Sequence, residues 1–237
     1  MLRAAAAAAL DKEIIPALYS LDQLVEIAGL TVASSIIDAF PPPRRAIFFC
    51  GHGNNGADGL VAARHLKAFG GFDSTVIIAP RDEYPQHYQK LLCQLEALGV
   101  PVRKSLEGID LKSFDFAVDA LLGFSVALPL RSPYTALVEA MARVKNIVSV
   151  DIPSGWEPDN DSTISTESPC YFMPSVLVSL TAPKPCSLLF ERMSGGRPHY
   201  VGLSNLIPQS LKEKYFSGTF RESQPVSQFS PYLHRFT

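Results

Sequence analysis

Two carboxylates in this chain of 237 residues follow apolar segments that are typical of buried strands. Asp119 comes directly after the strand-like residues 114–118, and Asp151 comes directly after residues 147–150. A carboxylate at such a place is costly to bury unless a cation, a proton or several hydrogen-bond donors accompany it. The pair therefore indicates a cation site or acid–base chemistry. A structural role is the alternative, because Asp side chains also cap helices and bind loop amides.

A glycine-rich turn forms the second group of interest. Residues 50–60 read CGHGNNGADGL, and they join the strand-like residues 46–50 to the helix-like residues 60–69. Glycines at such a junction let the backbone take positive φ and bring N–H groups close to an anion at the helix N-terminus. Asn54, Asn55 and Asp58 add polar side chains at the same place. The turn therefore predicts a site for a phosphate or a nucleotide.

Alternating strands and helices position these groups. The apolar patterns predict strands at 46–50, 74–79, 114–118, 147–150 and 175–180, and helices at 21–40, 58–69, 83–98 and 133–144. Such alternation implies right-handed crossovers and a mostly parallel sheet with helices on its faces. Because the carboxyl ends of parallel strands meet at one edge, we expect the glycine turn, Asp119, Asp151 and the segment 181–185 to share one crevice.

Composition and charge exclude several classes of protein. The net charge is −2 and only 19% of the residues are charged, which argues against extended contact with nucleic acid. No apolar run reaches the roughly 20 residues of a membrane span. The four cysteines lack metal-ligand spacing and are best explained as free thiols in a reducing compartment. We expect a soluble cytoplasmic protein, with a mitochondrial location left open because the alanine run at 4–9 is either a targeting stub or the start of a helix.

The length suits one α/β domain with a tail. Periodicity fades beyond Pro208, and the last residues show neither helical nor strand spacing. We therefore place one domain at residues 1–211 and a C-terminal tail, irregular or disordered, at residues 212–237.

Four stretches at the predicted strand ends resemble a known family. They read NNGADGLV at 54–61, VDALLGFS at 118–125, SVDIPSGW at 149–156 and LVSLTAPKP at 177–185. In order and spacing these stretches are similar to the signature motifs of the NAD(P)HX epimerases, the YjeF N-terminal domain family, which includes the apolipoprotein A-I-binding proteins. Agreement of four separated motifs by accident is very improbable.

The resemblance implies a fold and a reaction. The fold is a three-layer Rossmann-like α/β sandwich with a mostly parallel central sheet flanked by helices. The reaction is an isomerisation that interconverts the R and S forms of hydrated NADH and NADPH (NADHX and NADPHX) at C6 of the damaged ring. In the family a separate dehydratase then consumes the product. The resemblance implies no contact with nucleic acid or membrane and leaves a homodimer open.

The resemblance also implies roles for individual residues. One potassium ion per subunit would take oxygen ligands from Asn55, Asp119 and Ser154. The residues that would contact the substrate are Asn54, Asn55, Gly56, Ala57, Asp58, Gly123, Phe124, Ser125, Arg131 and Asp151.

The chemistry of the reaction suggests separate roles for the two carboxylates, Asp119 and Asp151. Inverting a carbon that bears a hydroxyl needs a group that moves a proton near C6. We expect Asp151 to be that acid or base, since a nearby cation would keep Asp119 ionised. Lys184 would give electrostatic support, so the expected catalytic residues are Asp151 and Lys184.

Some residues depart from the family pattern and keep other interpretations open. Ala57 stands where the family commonly has Gly, and residues 126–129 (VALP) replace a more polar stretch. These departures would suit a catalytically impaired member that binds nucleotides or a protein partner. The match of residues 51–56 to G-x-G-x-x-G, with Arg81 placed to meet a 2′-phosphate, would suit an NADP-dependent reductase.

Overall fold

The structure, a computed structural model, describes residues 1–203, 206–217 and 233–235. Its strands are β1 (Arg44–Cys50), β2 (Phe72–Ile78), β3 (Val102–Arg103), β4 (Phe116–Ala120), β5 (Ile147–Val150), β6 (Val176–Leu180), β7 (His199–Gly202) and β8 (Leu233–Arg235). Its helices are α1 (Ala4–Ala17), α2 (Leu21–Ala39), α3 (Asn54–Phe69), α4 (Gln86–Ala97), α5 (Tyr134–Met141), α6 (Ser187–Met193) and α7 (Gln209–Tyr215).

The strands form one sheet in the order β3-β2-β1-β4-β5-β6-β7-β8. Neighbouring strands from β3 to β7 pair in parallel, and β8 pairs antiparallel with β7. The chain runs outward from β1 to β3 and then returns to place β4 on the other side of β1. This reversal is the switch point at which α/β sheets bind ligands, outside the carboxyl ends of the strands.

Helices cover both faces of the sheet, so the expected three-layer sandwich is confirmed. On one face α3 packs against β1 and β4 and α2 packs against α3, β6 and β7, with Val32, Ile36 and Leu60 in the shared core. On the other face α5 packs through Val138 and Met141, and α6 packs beside it. Strands buried on both faces need apolar residues at nearly every position, which explains the continuous apolar runs of the sequence.

The helix α2 shows how local sequence sets the boundaries of an element. The Ser20 side chain accepts from the Gln23 N–H and the Gln23 side chain accepts from the Ser20 N–H, which forms a capping box at the N-terminus. Three prolines at 41–43 stop the helix after Ala39. The predicted helix at 21–40 is therefore confirmed within one residue.

Two predicted boundaries were wrong next to the crevice. The helix α3 begins at Asn54, four residues before the predicted start, so the polar residues of the glycine turn form its first helical turn. The strand β4 continues to Ala120, because its pairing with β1 and β5 includes Asp119. Asp119 is therefore a strand residue that is fixed on both sides by neighbouring strands.

The ends of the chain contain regular structure that the sequence left open at the N-terminus and did not predict at the C-terminus. The alanine run forms α1, which buries Leu10 and Ile14, and α7 packs against this helix. The helix α7 crosses the predicted boundary at residue 212, and β8 lies within the expected irregular tail. Most of residues 218–237 lie outside the described residues, so the division of the chain at 212 stays a prediction. Among the described helices, none combines the length and apolar character needed to cross a bilayer.

Candidate active site

A cavity of about 620 Å³ lies at the carboxyl edge of the sheet, where we expected a crevice. One wall carries the polar residues of the strand ends, among them Asn55, Asp58, Asp151, Thr181 and Lys184. The rest of the wall is mainly apolar and comes from α1, α2 and the residues after β7. A largely apolar cavity with a few convergent polar groups is the usual form of a small-molecule site.

The acid Asp151 and the base Lys184 form a buried ion pair in this cavity. Their side chains are only 6% and 2% exposed, and Lys184 Nζ contacts Asp151 Oδ1 directly. Lys184 Nζ also donates to the Leu180 carbonyl at 2.8 Å, and the Phe124 N–H donates to Asp151 Oδ2 at 2.9 Å. Both oxygens of the carboxylate are therefore held in place. An ion pair this buried is retained only with such additional hydrogen bonds.

Tight turns aim the side chains at the ends of β5 and β6. Asp151 has φ 68°, and the Ile152 N–H donates to the Val150 carbonyl across it at 2.9 Å. Thr181 has φ 67°, and the Ala182 N–H donates to the Leu180 carbonyl at 2.8 Å. These are γ-turns with positive φ, a rare and strained conformation that costs on the order of 1–3 kcal/mol per residue. Two adjacent strand ends therefore keep the same strained turn at the cavity wall.

The carboxylate of Asp119 lies below the cavity and is fully buried. It accepts from the Ser154 N–H at 2.7 Å, from Ser154 Oγ at 2.6 Å and from Ser149 Oγ at 3.0 Å. Burial raises the pKa of Asp119 to about 6, although the hydrogen bonds from Ser154 and Ser149 act in the opposite direction. Hydrogen-bond donors, rather than a basic side chain, therefore surround this carboxylate.

The amide of Asn55 is the most unusual polar group at the site. Its Oδ1 and Nδ2 atoms are buried, and neither has a hydrogen-bond partner among the described residues. Asn55 lies beside the segment after β4, since a Cβ built on Gly123 would be 3.4 Å from the Asn55 Cβ. In the same segment the Leu122 N–H donates to Ser154 Oγ at 3.1 Å. A buried amide without a partner indicates a missing ligand or ion.

Three carboxyl groups and one lysine interact electrostatically in the cavity. Burial raises the pKa of Asp58 well above its usual value, and the charges of Asp151 and Asp11 raise it further. Burial also raises the pKa of Asp11, which the charge of Lys184 lowers and that of Asp151 raises. The carboxyl groups of Asp58 and Asp11 accept no hydrogen bond from the residues that the structure describes. The cavity therefore holds carboxyl groups that favour the protonated form.

Comparison with known proteins decides the family. The profile of the YjeF-related protein N-terminus matches residues 21–186. The chain belongs to this YjeF family. A Schizosaccharomyces pombe protein named NAD(P)H-hydrate epimerase is 41% identical over 223 residues, which cover 90% of this chain and 88% of that protein. An Aspergillus fumigatus protein of the same name is 42% identical, over 88% of this chain and 86% of its own length.

A solved structure supports the same assignment at the level of the fold. The yeast YjeF-like protein YNL200c matches with a TM-score of 0.84 and 34% identity, over 100% of this chain and 99% of that chain. The expected membership of the YjeF family and the expected Rossmann-like fold are thus both confirmed.

The structure brings most of the predicted YjeF site residues to the cavity. Those that line it are Asn54, Asn55, Asp58, Gly123, Phe124, Ser125, Asp151 and Lys184. Gly56 and Ala57 lie behind the wall in α3, and Asp119 and Ser154 lie below it. Arg131 is exposed and is not part of the cavity wall. The role of each of these residues stays a prediction.

The glycines of the turn act differently from the expectation. Positive φ was expected, but none of Gly51, Gly53, Gly56 and Gly59 has it. Gly51 and Gly56 are needed instead for close approach of backbones: a Cβ on Gly51 would lie 1.9 Å from the Leu121 carbonyl oxygen, and one on Gly56 would lie 1.8 Å from the Gly51 oxygen. Ala57 is a buried helical residue with negative φ, so the alanine at this position causes no backbone strain.

Sequence reasoning missed the contribution of α1. Asp11 lines the cavity although it was assigned no role, and Lys12 lies beside it. A signal was present, because Asp11 falls at helical spacing from Ala7 and Ile14, which are both buried. An acid on the buried stripe of a helix indicates a functional position more often than an acid on the solvent face.

Proposed function

We propose that this protein is an isomerase that interconverts the R and S forms of NADHX and NADPHX. The observation that carries the proposal is the buried ion pair of Asp151 and Lys184 in the cavity of a chain that is 41% and 42% identical to two proteins named NAD(P)H-hydrate epimerase. No feature of residues 1–203 and 206–217, where the site lies, favours the impaired binder or the reductase. In particular, Ala57, which was the main reason to doubt the phosphate turn, fits the helix without strain.

The reaction inverts C6, which bears the added hydroxyl of the damaged ring. Inversion requires that the bond to this hydroxyl breaks and that an oxygen returns on the other face, with a proton moved at each stage. Asp151 holds a carboxylate at the cavity wall with both oxygens directed by neighbouring donors. Lys184 balances its charge and holds its orientation, which supplies the fixed geometry that such a step needs.

The N-terminus of α3 is suited to the phosphates of the substrate. The first N–H groups of a helix have no partners within the helix and attract anions. Asn54 begins α3, and Gly53, Asn54 and Asn55 at this end of the helix line the cavity. We propose that the pyrophosphate lies there while the damaged ring reaches Asp151.

We also propose that one potassium ion binds below the cavity. Asn55, Asp119 and Ser154 would hold it through oxygen atoms, which a hard cation prefers. The residues fit the ion, because the Asn55 amide has no protein partner and Asp119 carries buried negative charge without a basic neighbour. The described residues contain no cluster of His, Cys, Asp and Glu that would suit a transition metal. A bound cation would supply positive charge beside the phosphate turn.

Cation identity should therefore change the stability of the protein. At equal ionic strength we expect a higher Tm in KCl than in LiCl, since a ligand of the folded state at about 100 times its Kd adds roughly 2.7 kcal/mol. Asn55→Leu should abolish the difference and Asn55→Asp, which keeps an oxygen, should retain it. Differential scanning fluorimetry without nucleotide measures both variants. Equal Tm values in the two salts for the wild type would contradict the proposed ion.

A coupled assay tests the epimerase directly. The protein is added to an R/S mixture of NADPHX together with a separate dehydratase that is specific for the S form. An epimerase leads to full consumption, because R is converted to S as S is removed. Consumption that stops at the S fraction would show a protein without epimerase activity.

We propose that such a dehydratase is the next enzyme to act on the product. The homodimer stays a prediction.

A further inference from the structure

The helix α1 adds one acidic side chain to the cavity close to the strand ends, since α1 packs against Ala182 after β6. Asp11 lines the cavity, and buried Leu10 and Ile14 fix the helix on the domain. The Leu2 N–H donates to the Pro183 carbonyl at 2.9 Å, and the Ala4 N–H donates to Asp159 Oδ1 at 2.9 Å. Contacts of residues before and after Asp11 in the chain therefore fix the position of Asp11.

The surroundings of Asp11 differ from those of Asp151 in a way that matters for proton transfer. Asp151 is paired with Lys184 and accepts the Phe124 N–H, so a basic side chain and a backbone donor both contact its carboxyl group. Asp11 accepts no hydrogen bond from the described part of the chain, and burial raises its pKa. These surroundings suit a carboxyl group that carries a proton.

Inverting C6 by loss and return of water needs two such groups on two faces of the ring. An acid must protonate the departing hydroxyl, and a base must take a proton from the water that enters on the other face. Pairs of carboxyl groups whose surroundings separate their pKa values serve these roles in other enzymes.

We infer that Asp11 is the second acid–base residue of this site and protonates the C6 hydroxyl from the α1 side. This inference rests on the proposed epimerase function. The C6–O bond then breaks, water leaves, and the lone pair of the ring nitrogen forms a C=N⁺ bond with C6. A water molecule adds to C6 from the strand-end side, the nitrogen regains its electron pair, and Asp151 takes the proton from that water. Exchange with solvent restores the proton of Asp11.

The inference predicts a distinct pH dependence. The charged groups around Asp11 are Lys184 and Asp151 at the strand ends, Asp58 on α3 and Lys12 on α1, while α2 lines the cavity with apolar residues. Since the protonated acid is the active form, kcat/KM of the wild type should fall as the pH rises through the raised pKa of Asp11. Asp11→Asn should lower kcat by about 10²-fold or more, leave KM nearly unchanged and remove this fall. Asp11→Glu should retain it.

A control on the same helix separates chemistry from folding. Glu13 contacts Lys214 and Tyr215 away from the cavity, so Glu13→Gln should leave kcat and the pH profile unchanged. A raised carboxyl pKa means that stability is lost as the pH rises through that pKa, so Asp11→Asn should match or exceed the wild-type Tm at pH 7. The difference in Tm between Asp11→Asn and the wild type should vanish at a pH below the usual pKa of Asp.

The outcomes distinguish the two proposals. Wild-type protein that leaves the R epimer unconsumed would overturn the epimerase function. Wild-type activity together with unchanged kcat and an unchanged pH profile in Asp11→Asn would overturn the role of Asp11 alone. A rise in KM at constant kcat would also overturn it, because it would show a contact that only binds the substrate.

Discussion

Replacing Asp151 with Asn lowers kcat for epimerisation by about 10²–10⁴-fold, the usual contribution of a positioned acid or base. The amide keeps the size of the side chain but cannot accept a proton at the incoming water. The Phe124 N–H and Lys184 remain in place, so binding of the nucleotide should change much less than turnover. Epimerisation of the pure S form, followed by NMR of the C6 proton, measures the rate. Turnover at the wild-type rate would exclude Asp151 as the acid or base.

The same substitution should also weaken the fold, because it leaves the Lys184 ammonium buried without a counter-charge. Breaking one side of a buried ion pair typically costs about 3–5 kcal/mol. The double variant Asp151→Asn with Lys184→Met removes both charges and should recover much of that loss without recovering activity. Urea unfolding of the single and double variants measures the difference. Equal destabilisation of the two would show that the pair is not the source of the loss.

Gly56→Ala is the second change with a large expected effect. The added Cβ would lie 1.8 Å from the Gly51 carbonyl oxygen, and this neighbour is backbone that cannot rotate away. Forcing extra volume into such a contact typically costs about 1–3 kcal/mol and shifts the backbone. Because the shift moves the turn before α3, we expect nucleotide affinity to fall as well.

Gly53→Ala is a matched control in the same turn. A Cβ on Gly53 meets no atom within 4 Å, and its φ of −98° is open to any residue. We expect a change in stability of at most about 1 kcal/mol, since alanine is a weaker N-cap than glycine. Urea unfolding and calorimetric titration with NADPHX measure both variants. Similar results for Gly53→Ala and Gly56→Ala would contradict the account of the turn.

The position of the site could be predicted because parallel strands share a carboxyl edge. The apolar runs gave the strands, and the residues after each run were bound to converge once the sheet was parallel. Asp151 and Lys184 therefore lie in the same cavity, as expected. The sequence predicted only electrostatic support from Lys184, whereas the structure shows a direct ion pair. Asp119 met Ser154 for the same reason.

Other features depend on tertiary contacts that the sequence pattern does not express. Whether a glycine provides positive φ or room for close packing depends on which atoms face it, and the Leu121 carbonyl oxygen that faces Gly51 comes from a segment 70 residues away in the chain. Asp11 lies in α1, and the sequence did not decide whether the alanine run that begins this segment forms a helix. The position of Asp11 at the cavity therefore could not be inferred from the spacing of residues along the strands. The positive φ of Asp151 and Thr181 is likewise imposed by the surrounding structure.

The central claim is that C6 of the damaged ring lies against Asp151 in the strand-end cavity. A crystal structure of the Asp151→Asn variant with an R/S mixture of NADPHX tests it most directly, since slow turnover preserves the substrate. The account predicts the pyrophosphate at the N-terminus of α3 and C6 within about 3–3.5 Å of a water or hydroxyl held by residue 151. A ring bound outside the cavity, with residue 151 facing another part of the nucleotide, would contradict it.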